Sequence, residues 1–157
     1  MKKMLTKVIE KIHETPLAKS QFKEIAKDPG RAYYYAEYVI GGRWLEAEAT
    51  IAKDTRRVYW YARDVIGGRW PEGEKYIAKA PYWAYLYARD VIGGRWPVAE
   101  STIAKDSHWA YWYAREVIGG RWPEAEKYIS KDTGWAYEYA KNVLKRPWPE
   151  AGIYKVK

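Results

Sequence analysis

The side chains that most often perform catalysis or hold a metal are scarce in this sequence. The chain has no cysteine, and its two histidines, His13 and His108, stand in different environments, so no thiolate or histidine cluster for zinc is expected. Ser107 directly precedes His108, but no motif supplies the third group of a hydrolytic triad. Glu72 and Glu74 have counterparts at regular intervals and suit the first turn of a helix better than an acid–base pair. We therefore predict a protein that is not an enzyme and binds no cofactor and no metal.

One glycine-rich motif invites comparison with a phosphate-binding loop. Val-Ile-Gly-Gly-Arg-Trp recurs unchanged at 39–44, 65–70, 91–96 and 117–122. The motif lacks the Gly-Lys-Ser/Thr of such a loop, and no strand pattern precedes it. Its tryptophan instead belongs to a series with a constant spacing of 26 residues: Trp44, Trp70, Trp96, Trp122 and Trp148. A fixed period of this length identifies a stacked-repeat architecture.

Each repeat is expected to fold as a pair of short helices. The repeats cover 28–53, 54–79, 80–105, 106–131 and 132–157. Aspartate at the first position is a good N-cap for a first helix over positions 2 to 13. In the third repeat Ala80 replaces the aspartate and Pro81 follows it, at a position where proline fits a first turn. The glycine pair ends the first helix, and the second helix begins directly after the tryptophan.

The ends of the chain differ from its middle, as the ends of a repeat array should. Residues 1–27 are expected to form an N-terminal helical cap, with a lead-in helix over 2–13 and half a repeat over 17–27. Near the other end, Lys145-Arg146-Pro147 replaces Gly-Gly-Arg before the last tryptophan. We predict an all-α fold: an α-solenoid of five 26-residue αα-hairpin repeats, forming one continuous domain over 28–157 behind this cap.

Composition narrows the class of partner. Ten tryptophans and 16 tyrosines supply nearly all the large side chains, and such residues can build a core from short helices. The net charge of +8 favours anionic partners, either nucleic acid or acidic protein surfaces. No stretch approaches the ~18 apolar residues of a membrane span, and the first residues lack the apolar core of a signal peptide. A cytoplasmic protein without membrane association is predicted.

The repeats differ mainly along one side of the first helix. A helical wheel places positions 4, 5, 6, 8, 9, 12 and 13 in a broad apolar arc, whereas positions 3, 7, 10 and 11 fall outside it and vary. Tryptophan, tyrosine and arginine dominate binding hot spots, so we predict that these positions form an exposed aromatic–arginine strip that binds a partner. The strip consists of Arg56, Trp60, Arg63, Tyr82, Leu86, Arg89, His108, Trp112 and Arg115.

Several of these residues also have structural explanations. Arginines at position 10, such as Arg63 and Arg89, could pair with an acidic residue of a neighbouring repeat in a ladder of surface ion pairs. For Trp60 and Trp112 the alternative to binding is packing at the edge of the helix. A second row of arginines, in the turn, is predicted to bond the ends of the first helices or to pair with the glutamate five residues later. A row of phosphate contacts is the alternative for that row, which consists of Arg43, Arg69, Arg95 and Arg121.

The repeat unit also carries a resemblance. Trp-Ala-Tyr-x-Tyr-Ala-Arg-Asp-Val-Ile-Gly-Gly-Arg-Trp-Pro-Glu-Ala-Glu-x-x-Ile-Ala-Lys-Asp, best seen at 83–106 and 109–132, resembles a tandem Trp/Tyr-rich helical repeat of uncharacterised phage and bacterial proteins. The resemblance covers 28–157 and implies a small non-enzymatic protein that occludes a host protein in the host cytoplasm. The near-identity of the middle repeats is also typical of an engineered array of this repeat.

The sequence supports three hypotheses about function. The first is a protein-binding scaffold whose partner contacts the strip. The second is a basic nucleic-acid-binding solenoid that stacks bases on exposed aromatic rings, although Asp64, Asp90 and Glu116 interrupt the positive strip. The third is a designed repeat scaffold without a natural ligand. The chain is expected to be a monomer or a weak homodimer through the strip.

Overall fold

The computed structural model of the protein describes residues 16–156. The lead-in helix predicted over 2–13 therefore lies outside the described residues. The chain divides into two compact units, Met1–Tyr76 and Ile77–Lys157, here named the first and the second unit. The first unit holds the first repeat and nearly all of the second, and the second unit holds the last three repeats. The continuous domain expected over 28–157 stays a prediction.

The described residues are helical, and the all-α fold class is confirmed. Between residues 16 and 156 the chain forms no strand, and its one isolated β-bridge joins Trp148 to Ile153. Successive helices pack against each other within each unit, as in an α-solenoid. The first helices of the five repeats begin at intervals of 26 residues: Pro29, Thr55, Pro81, Ser107 and Thr133.

The first described helix of the first unit covers most of the half repeat predicted over 17–27. The helices that begin in this unit are α1 (Pro16–Ile25), α2 (Pro29–Tyr35), α3 (Leu45–Ile51), α4 (Thr55–Trp60) and α5 (Pro71–Ile77). α2 continues as a π-helical turn over Ala36–Ile40, and α4 continues as one over Tyr61–Ile66. α2 and α4 are the first helices of their repeats, and α3 and α5 are the second helices.

The second unit repeats this arrangement and ends in a shorter turn. Its helices are α6 (Pro81–Tyr87), α7 (Pro97–Ile103), α8 (Ser107–Tyr113), α9 (Pro123–Ile129) and α10 (Thr133–Tyr139). π-helical turns follow the first helices over Ala88–Ile92, Ala114–Ile118 and Ala140–Leu144. In the last repeat a 3-10 turn over Pro149–Ala151 stands in the place of the second helix.

Local sequence explains where the first helices begin. Asp28 accepts a hydrogen bond at 2.7 Å from the backbone N–H of Arg31, in the open first turn of α2. The corresponding aspartates of the second, fourth and fifth repeats cap their helices in the same way. Ala80 makes no side-chain cap, and Pro81 occupies the first position of α6, where a proline ring costs no hydrogen bond. The predicted helix starts are confirmed.

The first helices of repeats one to four end at the predicted glycines and that of the fifth repeat ends at Lys145, but the last turn of all five is wider than expected. Gly67 adopts a left-handed φ of 71°, and the carbonyl of Ala62 accepts hydrogen bonds from both Gly67 and Gly68. A π-type hydrogen bond spans five residues instead of four, so the residues that follow lag behind an α-helical wheel. Val65 and Ile66, expected inside the apolar arc, are consequently only half-buried.

The core of each repeat combines small residues on the first helix with an aromatic pair at the turn. Ala110 on α8 and Ala114 at the start of the following π turn are fully buried and let neighbouring helices approach closely. Tyr113 tilts against Trp122 with ring centroids 4.9 Å apart, and Ile129 of α9 completes this cluster among the buried residues. The same tyrosine–tryptophan pair recurs in each of the other repeats. The turn tryptophans are therefore structural residues.

Candidate functional site

The predicted aromatic–arginine strip divides between the two units. Arg56 and Trp60 lie on α4, and Arg63 lies on the π turn that follows it. The remaining members lie on α6, α8 and their π turns in the second unit: Tyr82, Leu86, Arg89, His108, Trp112 and Arg115. The side chains in the two units have different surroundings, and not all of them are accessible.

In the first unit, Trp60 and Arg63 form a stacked pair. The guanidinium carbon of Arg63 lies 4.1 Å from the ring centroid of Trp60. Two hydrogen bonds to Asp64, of 2.7 and 3.2 Å, and one of 3.1 Å to the hydroxyl of Tyr59 hold the guanidinium there. Trp60 is half-buried, where full exposure was predicted. A surface cation–π contact contributes ~0.5–1 kcal/mol, and here it also keeps the indole in one orientation.

The second unit contains a looser pair of the same kind. The guanidinium carbon of Arg115 lies 5.2 Å from the ring centroid of Trp112, and its Nη1 donates to the hydroxyl of Tyr111 at 2.9 Å. Trp112 is half-buried, like Trp60. The arginine–tryptophan pair therefore occurs once in each unit, at the same two positions of the repeat.

Leu86 does not belong to an exposed surface, and that prediction is wrong. Only 9% of this residue is exposed. Leucine is short, and Tyr82 and Arg89 stand one helical turn away on the same side of the first helix, so longer side chains flank it. Leu86 is a packing residue in the structure.

Arg63 and Arg89 at position 10 bind acidic residues, mostly those of their own repeat, whereas Arg115 donates to the hydroxyl of Tyr111. Arg89 donates two hydrogen bonds to the next residue, Asp90, at 2.6 and 3.0 Å. Its Nη1 also reaches Glu116 of the following repeat at 3.1 Å and the hydroxyl of Tyr85 at 2.8 Å. The predicted ion-pair ladder between repeats is thus present at Arg89, whereas Arg63 pairs with the adjacent Asp64.

A ladder of tyrosine hydroxyls, which the sequence analysis missed, joins consecutive repeats beside these arginines. Tyr33 donates to Asp64 at 3.2 Å, and Tyr85 donates to Glu116. At the end of the array the amide of Asn142 donates to the hydroxyl of Tyr111 at 3.1 Å. Burial, and next the neighbouring Glu37, raise the pKa of Tyr33 above its ordinary range. In the sequence, this ladder could have been recognised from a spacing of 31 residues, one repeat plus five, between a tyrosine and a polar residue.

The arginines of the turn are neutralised by glutamates, which favours their structural interpretation over phosphate binding. Arg95 forms a two-pronged pair with Glu100, with both nitrogen–oxygen distances at 2.8 Å. The hydroxyl of Tyr113 in the next repeat donates to the same carboxylate at 3.0 Å and accepts from the backbone N–H of Trp96 at 2.7 Å. Hydrogen bonds from Arg95 lower the pKa of Glu100. The forks at Arg43, Arg69 and Arg121 have the same geometry.

His108 and Tyr82 are packed among other rings. The imidazole of His108 lies between Trp109 and Trp135, with centroid distances of 4.1 and 4.2 Å and nearly parallel planes. Tyr82 contacts Trp83 and Trp109, each at 4.6 Å, and keeps a partly exposed face. Both faces of the imidazole are therefore covered by side chains of the second unit, and a partner role for His108 stays a prediction.

A groove between the first two repeats collects the accessible strip residues of the first unit. Its volume is about 380 Å³. Arg56 and Arg57 line it from the first turn of α4, and the exposed rings of Tyr34 and Tyr38 line it from α2 and its π turn, 51% and 72% exposed. The full lining is Tyr33, Tyr34, Glu37, Tyr38, Arg56, Arg57, Trp60, Arg63 and Asp64.

Several polar groups of this groove are not fully used by the protein. Glu37 Oε2 and Arg57 Nε are buried atoms for which the described residues provide no hydrogen-bond partner. A buried polar atom left in this state costs ~1–3 kcal/mol. Arg56 has only a distant ion pair, with Nη2 3.9 Å from Asp54 Oδ2. The exposed guanidinium of Arg56 is therefore accessible and largely unpaired.

Several groove residues, among them Tyr34, Tyr38, Arg57 and Glu37, were not part of the predicted strip. Tyr34 and Tyr38 occupy the variable positions 7 and 11 of the first repeat, although the strip was predicted only over the second to fourth repeats. Arg57 holds a position that carries tryptophan in the three later repeats, and that exchange was the available signal. Glu37 holds a position that carries arginine or lysine in all four of the remaining repeats.

The residues that the structure describes contain neither a candidate membrane span nor a candidate metal cluster. In the part of the chain from 16 to 156, no helix has the length and apolarity needed to cross a bilayer. Among the same residues, no group of three histidine, aspartate or glutamate side chains is arranged to hold a metal ion. No protein family model, no curated protein and no solved structure matches this chain.

Proposed function

We propose that this chain is a non-enzymatic scaffold that binds another protein through the accessible part of its aromatic–arginine strip. The observation that carries the proposal is the arginine–tryptophan pair, Arg63 on Trp60 and Arg115 on Trp112, on the first helices. Tryptophan and arginine are the residues that most often dominate a binding interface. Neither tryptophan is fully buried, so a face of each pair stays available to a partner.

The pairs are ordered before any partner arrives. Arg63 is held by three hydrogen bonds, and Arg115 is held by one from its Nη1 to the hydroxyl of Tyr111. Ordering a flexible side chain on binding costs ~0.5–1.5 kcal/mol, and a side chain that is already fixed avoids much of this cost. A surface with this property suits binding.

The distribution of charge favours a protein partner over a nucleic acid. Asp64 and Glu116 lie beside the strip arginines and would repel a phosphate backbone. The turn arginines, the other candidates for phosphate contacts, are already paired with glutamates. Occlusion of a host protein, the role that the resemblance implies, needs no chemistry beyond such a contact.

Selection of displayed random peptides against the immobilised chain tests the proposal. We expect selected peptides to bind the wild-type chain and to lose about tenfold or more in affinity for the double variant Trp60→Ala/Trp112→Ala, because truncating hot-spot residues costs at least ~2 kcal/mol. Circular dichroism should show unchanged helicity.

The matched control is Tyr154→Ala, which removes an exposed aromatic side chain outside the strip. This variant should bind the selected peptides as the wild-type chain does. A selection that yields no binding peptide, or peptides whose affinity is unaffected by the double variant, would contradict the proposal. Retardation of single-stranded DNA that weakens steeply with salt would instead support the nucleic-acid hypothesis.

A further inference from the structure

In the second unit, tryptophans at position 4 fill the space between consecutive first helices. Trp109 of α8 stacks on Tyr85 of the preceding repeat with centroids 5.7 Å apart. Trp135 of α10 contacts Tyr111 in the same way at 5.5 Å. At both of these junctions, a tryptophan ring against a tyrosine ring therefore fills the space between consecutive first helices.

At the junction of the first two repeats, a guanidinium takes the place of that indole. Arg57 stands at position 4 of α4, with its guanidinium carbon 5.3 Å from the ring centroid of Tyr33 and 4.9 Å from that of Tyr34. Gly30 stands at position 3 of the first repeat, and a Cβ atom added there would lie 3.1 Å from Arg57 Nη2. The exchange of tryptophan for arginine introduces charge and donors beside the groove, and the glycine keeps side-chain bulk away from the guanidinium.

Some of the charged side chains around the groove are paired with each other, and others are not. Arg63 and Asp64 neutralise each other through two hydrogen bonds. Arg57 lines the groove and makes no ion pair with the described residues, and Arg56 lies exposed at its side with one weak ion pair. Two neighbouring guanidinium groups are thus available to an anion, and guanidinium groups bind carboxylates in a two-pronged geometry.

We propose that this groove binds an aspartate or glutamate side chain of the partner protein, with an aromatic or aliphatic residue next to it in the partner's sequence. The inference rests on the proposed protein-binding function and adds the chemistry of the bound segment. Arg56 and Arg57 bind the carboxylate, and the exposed rings of Tyr34 and Tyr38 receive the apolar neighbour.

The acidic groups of the groove distinguish such a segment from a phosphate polymer. Glu37 lines the groove, and its carboxylate can accept a backbone N–H, which a peptide supplies and a phosphodiester does not. Glu37 also repels a chain that carries one negative charge per nucleotide more strongly than it repels a single carboxylate. The volume of about 380 Å³ lies near the lower end of ligand pockets, ~300–1,000 Å³, which suits a few side chains of a longer segment.

The test divides a displayed peptide library into two arms. In one arm the central position is aspartate or glutamate, in the other it is asparagine or glutamine, and all other positions are random. Both arms are selected against the full chain. We expect enrichment in the acidic arm and peptides that bind about tenfold or more weakly to Arg57→Trp, because a hydrogen-bonded charge is lost. This variant carries the residue of the later repeats, so the fold is expected to be kept.

The outcomes separate this inference from the function on which it rests. One outcome would overturn the inference and leave the protein-binding function standing. In that outcome peptides come equally from both arms, and their affinity is lowered by Trp60→Ala but not by Arg57→Trp. Peptides from neither arm would overturn both. Arg57→Lys should keep part of the affinity, because the charge remains and the two-pronged geometry is lost. Displacement of an acidic peptide by single-stranded DNA at low salt would mean that the groove selects any polyanion, and would also overturn the inference.

Discussion

Single tyrosine hydroxyls join the repeats of each unit to one another. Tyr113 was expected to be an apolar core residue, yet its hydroxyl donates to Glu100 and accepts from the backbone of Trp96, both in the preceding repeat. Buried polar atoms are almost always hydrogen-bonded, because an unmet group is costly. The hydroxyl therefore adds a directional contact to the hydrophobic one, and it sets how consecutive repeats of this unit register.

The Arg95–Glu100–Tyr113 cluster makes the free energy of unfolding depend on pH in the acidic range. The pKa of Glu100 is lowered, chiefly by hydrogen bonds from Arg95, so the folded state binds this proton more weakly than the unfolded state. The stabilisation is fully present above the unfolded pKa, about 4.3, and is lost as pH falls through the lower folded value. Urea unfolding across this range should show the free energy of unfolding decreasing toward low pH.

Variants of the same cluster check the cause. Glu100→Gln and Arg95→Gln should each reduce this pH dependence, because one removes the titrating group and the other removes what lowers its pKa. Val98→Ala, an exposed change on the same helix, serves as the control and should leave the pH dependence as it is. Equal slopes in the wild-type chain and in Glu100→Gln would show that Glu100 is not responsible.

The helices of the second repeat contain a paired exchange of volume. In repeats one, three and four, buried alanines occupy repeat position 5, which lies on the first helix, and repeat position 20, which lies on the second helix. In the second repeat these positions hold Val58 and Gly73. A Cβ atom added at Gly73 would lie 2.7 Å from Val58 Cγ1 and 2.6 Å from Trp70 Cε3. The glycine therefore makes room for the extra methyl groups of the valine.

This exchange predicts a strongly coupled double mutant. Gly73→Ala alone should lower the free energy of unfolding by about 1–3 kcal/mol through overpacking. Val58→Ala alone should cost about 2 kcal/mol, because it leaves a cavity. The double variant restores the alanine pair of the other repeats and should lie within about 1 kcal/mol of the wild-type chain. Denaturant unfolding of the four proteins gives the coupling.

The reciprocal pair in the second unit is the control for that cycle. Ala84→Val should destabilise by overpacking, and Ala99→Gly should relieve it when the two are combined. Additive effects in both cycles would show that the volumes of positions 5 and 20 are independent.

At the scale of the whole molecule, a net charge of +8 favours the approach of an acidic molecule. The turn arginines contribute little to this field, because each is matched by a glutamate. Long-range attraction to an acidic partner comes from the remaining lysines and arginines. Such attraction acts on the rate of association more than on the lifetime of the complex.

Binding of an acidic peptide should accordingly depend on salt through its association rate. Raising the ionic strength from about 0.1 to 1 M shortens the screening length from ~10 to ~3 Å, so the association rate constant should fall while the dissociation rate constant changes less. Stopped-flow measurements on a peptide from the acidic arm and on its amide counterpart test this. An equal salt dependence for the two peptides would argue against electrostatic attraction.

Some features of the fold could be predicted because they are local. The period of 26 residues, together with the aspartate caps and glycine stops where they occur, specifies where most of the first helices begin and end. The partners of the turn arginines were predictable as well, since the glutamate lies five residues away on the following helix. The π turn was not predictable from a wheel, because it depends on how the last carbonyls share the two glycine N–H groups.

The candidate site depended more strongly on tertiary contacts. Sequence position alone identified Trp60, Arg63, Trp112 and Arg115 as strip residues, but it could not say that Leu86 is buried, because burial depends on which neighbouring side chains are longer. It also passed over Arg57, whose role follows from the tyrosines that it covers in another repeat.

The sequence by itself determined the repeat, the helix boundaries and the chemical types on the variable side of the first helices. These are properties of residues close together in the chain. Only the tertiary structure decided which of those side chains are buried by packing and which line a groove. Contacts such as Tyr33 with Asp64 or His108 with Trp135 join residues about one repeat apart, and their geometry arises only when neighbouring repeats pack.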